Sequence, residues 1–225
     1  MQSKILAFLE KITCLPKSTQ SILGAAKFSQ KKIFVDPFDV KQIEFRWLTK
    51  NLYFTSPETI KLKFLSFILG ESTNNRLRIA CREKKQLVYG IYSCVVEYYS
   101  HQYFHISTNV SKENLPEVIK TIKNEIGRLK EELLTKNDLT NLIKEMSRIL
   151  VVGNDIQGNI NDYIVDDIFQ KEKMLPDDLC KYYEALTAED LREMARKVFV
   201  PENYMFCAHG PIEKNELQKM IKDAL

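Results

Sequence analysis

Apolar and polar positions along this chain of 225 residues recur with two different periods, and the changes of period mark its elements. Ile5, Leu6, Leu9 and Ile12 stand at helical spacing and are stopped by Pro16, which predicts a short amphipathic helix over residues 4–13. Residues 17–40 are mixed and polar, include Gly24 and Pro37, and read as an extended connector. Ile43, Phe45 and Trp47 then alternate with Glu44 and Arg46, the pattern of a half-buried strand. Ser56-Pro57-Glu58 opens a helix, with Ser56 as cap and Pro57 at the first helical position, and Gly70 ends it. A polar loop leads to a second helix over roughly residues 75–85. Leu87–Tyr99 and Gln102–Val110 are mostly β-branched or aromatic and predict a hairpin turning near Ser100.

Beyond the hairpin the period becomes helical. Asn114 and Glu117 have capping-box spacing ahead of the stripe Leu115, Val118, Ile119, Ile122, Ile126 and Leu129. Thr135 and Asp138 repeat that spacing before Leu139, Leu142, Ile143, Met146 and Leu150, and Thr187 with Asp190 opens a further helix ending near Val198. Tyr204–Ala208 reads as a short last strand, closed by Gly210-Pro211. Strand, two helices, strand pair, several helices and strand make an α+β fold, helices packed on one face of a mainly antiparallel sheet.

Composition narrows the function classes. Hydrophobic content of 44% and charged content of 28% are those of a soluble globular chain. The net charge of +3 is spread as mixed Lys and Glu, without the concentrated basic face of a nucleic-acid binder. No apolar run is long enough to span a bilayer. The cysteines (Cys14, Cys81, Cys94, Cys180, Cys207) are scattered and odd in number, which argues against a disulfide framework or a structural zinc site and fits a reducing compartment.

Catalytic motifs are missing from the pattern. There is no G-x-S-x-G elbow and no phosphate-cradling glycine loop. His101 and His105 have H-x-x-x-H spacing, but in a strand they stand about 13 Å apart along the chain, too far to share an ion. They read as solvated residues of a sheet face, and His209 as a lone structural histidine at a strand end.

The junction between the second helix and the hairpin carries the strongest signal. Phe67-Ile68-Leu69-Gly70, Asn75-Arg76-Leu77 and Arg82-Glu83-Lys84-Lys85-Gln86-Leu87-Val88-Tyr89 resemble the C-terminal half of insulinase/pitrilysin-like zinc metallopeptidases, which include mitochondrial processing peptidase and bacterial zinc proteases. Glu113-Asn114, Leu134-Thr135 with Asp138-Leu139, Thr187-Ala188-Glu189-Asp190-Leu191 and the run from Pro201 to Pro211 follow in the same order, so the resemblance covers about residues 40–211. Gln86 departs from the usual glycine, although some insulin-degrading members carry Gln there; Asn74-Asn75 replace a Ser-rich pair, and Glu71 replaces a second glycine.

The resemblance implies one half of a two-part peptidase. In that family the N-terminal half carries zinc on H-x-x-E-H plus a later Glu, and the C-terminal half reaches into a shared cavity with an Arg and a Tyr. The matching residues are Arg82 and Tyr89, expected to contact a peptide or unfolded polypeptide; no residue here is expected to be catalytic or to bind metal. From the residues alone, Arg82 is a solvated helix residue and Tyr89 a half-buried strand aromatic. No H-x-x-E-H or its inverse occurs, so zinc is expected on a separate N-terminal half or partner subunit, in a homo- or heterodimeric arrangement, and the chain is expected to be inactive alone. Residues 1–16 resemble the end of that preceding half, 17–40 a linker and 41–225 the C-terminal domain, so the chain reads as a fragment. The alternative is a non-peptidase scaffold of the same fold, as in core subunits of respiratory complexes. Cytoplasmic and periplasmic placements both stay open, since a signal peptide on a preceding half would direct export.

Overall fold

The computed structural model describes residues 32–49, 56–98, 101–154 and 176–225. The helix expected over residues 4–13 lies outside them. Within them, five strands form one sheet: β1 (Ile33–Pro37), β2 (Ile43–Thr49), β3 (Val88–Tyr98), β4 (His101–Val110) and β5 (Tyr204–Gly210), in the order β1-β5-β2-β4-β3. The β3–β4, β4–β2 and β2–β5 pairs are antiparallel, and β1 runs parallel to β5.

Strand β1 corrects the reading of residues 17–40 as connector throughout. Ile33-Phe34-Val35 has strand composition, but its partner residues, Phe206–Gly210, lie at the far end of the chain, so no local pattern announces the pairing. Pro37, which has no N–H to give a ladder, stands at the strand's last position, where a proline is tolerated.

The helices are α1 (Ser56–Ser66), α2 (Arg78–Lys84, wound as a π-helix), α3 (Leu115–Glu131), α4 (Lys136–Asn154), α5 (Pro176–Glu184), α6 (Ala188–Val198) and α7 (Lys214–Ala224). The last of these was not anticipated from the sequence. Alternation along β2 sorts the sheet into two faces: Ile43, Phe45, Trp47 and Thr49 are buried, whereas Glu44, Arg46 and Leu48 are exposed or half-exposed. The buried face meets the apolar stripe of α3, with Leu115, Val118, Ile119 and Ile122 fully enclosed, and Leu191, Met194, Ala195 and Val198 of α6. Trp47 lies at the centre, edge-on to Tyr204 and Phe206 with ring centroids 4.9 and 5.0 Å away.

Of the three capping-box spacings, two form their cap bond; the Ser56 side chain, the other expected cap, lies outside the described residues. Thr187 Oγ1 accepts from the Asp190 N–H at 3.1 Å, and the Asp190 carboxylate accepts from the Thr187 N–H at 3.0 Å. Thr135 Oγ1 likewise accepts from the Asp138 N–H at 3.1 Å. Asn114 does not cap α3. Its backbone is already helical (φ −85°, ψ −17°), so the side chain cannot fold over the first turn, and its amide donates to the Leu87 carbonyl at 3.1 Å. Glu117, freed from the box, binds Lys85 at 2.6 Å.

Asp190 serves twice, since it also takes the Lys61 ammonium of α1 at 2.6 Å; that hydrogen bond, then the one from Thr187, holds its carboxyl below the usual range. Thr187→Ala is expected to cost about 1 kcal/mol in urea denaturation, the loss typical of an N-cap, and a change within error would show the box to be idle.

Candidate functional site

The junction that stands out in the sequence, Gly70 to Tyr89, is shaped by three local devices. The end of α1 widens into an i→i+5 turn over Phe67–Glu71, with the Ser72 N–H donating to the Phe67 carbonyl at 2.8 Å. The helix therefore runs one residue past Gly70 instead of stopping there. The extra residue lets the turn lie directly on β3, where Ser93 Oγ donates to the Ser66 carbonyl at 2.9 Å. Such single turns are rare and often mark functional regions.

The second device is Asn75. Its side-chain oxygen accepts from the Arg78 N–H at 2.8 Å and its amide donates to the Ser72 carbonyl at 2.9 Å, so it caps the second helix and closes the preceding loop at once. The departure from a Ser-rich pair thus keeps a capping residue.

The third is Gln86, whose φ of 53° lies in the left-handed region that favours glycine. There the chain reverses, with the Gln86 N–H donating to the Arg82 carbonyl at 3.1 Å and the Leu87 N–H to the Cys81 carbonyl at 2.8 Å. This is the physical reason a glycine suits the position. Gln86→Gly is expected to leave stability unchanged or raise it by up to about 1 kcal/mol, strain relief being offset by glycine's backbone entropy. Gln86→Val, β-branched, is expected to lower it by about 1–2 kcal/mol in the same urea titration. A stabilised valine variant would refute the strain.

The reversal places Arg82 and Tyr89 together: the guanidinium carbon lies 4.9 Å from the centroid of the Tyr89 ring. The β3–β4 register slips between Val88 and Ile91, so Tyr89 sits on a bulge and its side chain leaves the sheet. Contrary to the half-buried reading, Tyr89 is 85% exposed. An exposed stacked pair of this kind is worth roughly 0.5–1 kcal/mol, enough to orient the two groups but too little to account for leaving a large ring in water. The base is braced to α3 by Lys85, whose ammonium donates to Glu117 at 2.6 Å and to Thr121 Oγ1 at 3.0 Å. Hydrogen bonding to Lys85 holds the Glu117 carboxyl below its usual range.

Among the described residues, the thiol nearest the pair in the chain is not a nucleophile. Cys81, next to Arg82 in the chain, is fully buried and burial pushes its thiol up to about 12, leaving no thiolate at neutral pH. Burial also raises the thiols of Cys94 and Cys207.

An open concavity of about 620 Å³ lies at the other side of the sheet, on β1, β5 and β2, and includes Asp36, Glu44, Arg46 and His209. Two pairs form within it, His209 Nδ1 lying 2.9 Å from Asp36 and Arg46 2.5 Å from Glu44, and Lys214 also lines it. It is remote from Arg82 and Tyr89. His105 is not the solvated residue its strand position suggested; it is buried on β4 among the rings of Tyr92 and Tyr103, and burial, then Arg46, lowers its pKa and keeps it neutral. Among the described residues no three His, Cys, Asp or Glu side chains converge as a metal site. The donor set described therefore does not fit a zinc ion. No described helix is long and apolar enough to cross a membrane.

Comparison with known proteins identifies the fold and the family. Residues 2–146 match the family model described as the peptidase M16 inactive domain. An uncharacterized zinc protease of Streptomyces coelicolor is 24% identical over 135 residues, 60% of this chain and 29% of that protein. A protease from Helicobacter pylori superposes with a TM-score of 0.77 at 16% identity, over 93% of this chain and 52% of its own. A peptidase M16 inactive domain from Pseudomonas fluorescens does so with a TM-score of 0.73 at 19% identity, over 95% of this chain and 52% of its own. The chain spans about half the length of these structures and under a third of the curated relative. With the family model covering well over half of the sequence, from the first predicted helix into α4, the chain belongs to the peptidase M16 family as its inactive, C-terminal type of domain.

Proposed function

We propose that this domain forms the non-catalytic wall of a peptide chamber, offering Arg82 and Tyr89 to an extended or unfolded peptide while a zinc-bearing half, in the same polypeptide or a partner subunit, supplies the hydrolytic centre. The observation that carries the reading is the exposure of Tyr89 under the Arg82 guanidinium at a braced helix–strand junction. Membership of a family of inactive peptidase domains supports it, as does similarity to a protein named a zinc protease.

The chemistry suits the two side chains. Arg82 offers a planar fork of donors to peptide carbonyls or a carboxylate. The Tyr89 hydroxyl can donate to a carbonyl oxygen as negative charge builds on it. Zinc, bound by the other half, would supply the activated water.

The test pairs this chain with its zinc-bearing half and follows cleavage of a fluorogenic unstructured peptide. Alone, the chain is expected to cleave nothing and to bind no stoichiometric zinc. In the pair, Arg82→Ala with Tyr89→Phe is expected to lower kcat/KM at least about tenfold, or roughly 1.4 kcal/mol, with the melting temperature unchanged. Zinc-dependent cleavage by the isolated chain would sink the non-catalytic assignment. Full activity of the double variant would sink the roles of the two residues, and a pair with no peptidase activity would favour a scaffold of the same fold.

A further inference from the structure

Arg76 and Lys84 belong to the same series of motif runs as Arg82 but take no part in the proposed chamber wall. They line a cleft of about 240 Å³ between the second helix and α3, together with Ile79, Ala80, Glu125 and Arg128. Arg76 Nη1 is buried with no hydrogen-bond partner. Guanidinium cannot shed its charge, and a buried donor of this kind normally has an acceptor, so its isolation calls for one. The neighbouring carboxylate is already engaged: both oxygens of Glu125 lie 3.2 Å from Arg128 Nη1, and Glu132 holds Arg128 Nε at 3.1 Å. Glu125, Glu132 and Asp138 act on Arg76 only through space, whereas burial and the Arg128 charge both oppose its ionised form. Lys84, exposed at the cleft's rim, has no ion-pair partner among the described residues.

We propose that this cleft is an oxyanion site, binding a carboxylate or phosphate group through the Arg76 fork with Lys84 as the second charge. The volume admits one such group with a few waters, each needing about 30 Å³. The apolar sides of Ile79 and Ala80 leave the guanidinium as the main source of hydrogen bonds, which favours a planar or tetrahedral oxyanion over a spherical halide.

The test titrates the 225-residue chain with inorganic phosphate and, separately, with acetate, at fixed ionic strength in chloride, by calorimetry and thermal shift. Saturable binding of at least one of the two is expected. Response to phosphate alone identifies a phosphoryl ligand, and response to acetate identifies a carboxylate such as a peptide would bring. Arg76→Gln is expected to weaken binding at least tenfold and Lys84→Ala at least threefold, while Lys120→Ala, on the exposed side of α3, leaves it unchanged. Should Arg76→Gln fail to fold, Lys84→Ala decides, because its side chain is exposed. Absence of saturable binding to either anion, or equal binding by Lys84→Ala and the parent chain, overturns the site.

Discussion

Gly70→Ala is expected to destabilise the fold by about 3 kcal/mol or more, or to prevent folding at 37 °C. A Cβ at this position would fall 2.2 Å from the Ser93 backbone nitrogen, 2.6 Å from Ser93 Oγ and 2.8 Å from the Tyr92 carbonyl carbon. Two of those three atoms are backbone of β3, so no rotamer change relieves the overlap and the whole turn must back away from the strand. Retreat would also stretch the hydrogen bond from Ser93 Oγ to the Ser66 carbonyl and loosen Phe67, Ile68 and Leu69, all buried. The chevron midpoint in urea measures the loss, and a midpoint within error of the parent would show that the turn does not press on β3. A milder readout follows from position: this turn leads through the Asn75 cap into the helix that carries Arg82. If the proposed peptide contact holds, a Gly70→Ala protein that does fold is expected to lose affinity for peptide before it loses secondary structure.

The second large effect is at the centre of the core. Trp47→Ala is expected to cost about 4 kcal/mol, since a large side chain that is 1% exposed leaves a cavity bounded by the rings of Tyr204 and Phe206. The indole N–H has no hydrogen-bond partner, so its loss carries no further penalty and slightly offsets the cavity. Trp47→Phe should therefore cost less than half as much. Equal losses for the two variants would mean that the N–H, not the ring volume, is what the site depends on. Because β2 pairs on both sides, with β4 and β5, a cavity here weakens the sheet at its middle strand and not at a replaceable edge.

How much of this was legible in the sequence differs from element to element. The alternation Ile43-Phe45-Trp47 identified a central strand, because period two with one apolar face has no competing reading. Thr187 and Asp190 announced a helix start that forms in full, since a capping box needs only residues within one turn. Signals that depend on distant partners failed. Ile33–Pro37 is a strand because residues 206–210 lie beside it, and nothing near residue 33 encodes that. Asn114 and Glu117 had the right spacing for a box, but Leu87 and Lys85, about thirty residues upstream, take both side chains. His105 was read as solvated because strand alternation alone does not reveal that Tyr92 and Tyr103 cover its ring.

The site divides in the same way. Arg82 and Tyr89 were named through resemblance, and their seven-residue separation gives no hint that they meet. Their meeting depends on a left-handed residue at Gln86 and a bulge after Val88, two backbone irregularities that composition does not encode. Gly90 inside a β-rich run was the one local sign of a bulge. Arg76 gave less warning still, since only the packing of α3 shows that its guanidinium is enclosed.

The place of β1 in the sheet sets a condition on assembly. It forms one edge and β3, beside Tyr89, the other, with four inter-strand steps between them, or about 19 Å. Polypeptide entering from the N-terminal side therefore arrives at the edge away from the Arg82–Tyr89 pair. Under the proposed function, a zinc-bearing half joined on that side would have to span the width of the sheet to face Tyr89. On the proposed reading, the span available before Ile33 then decides whether the two halves can face one another across the pair.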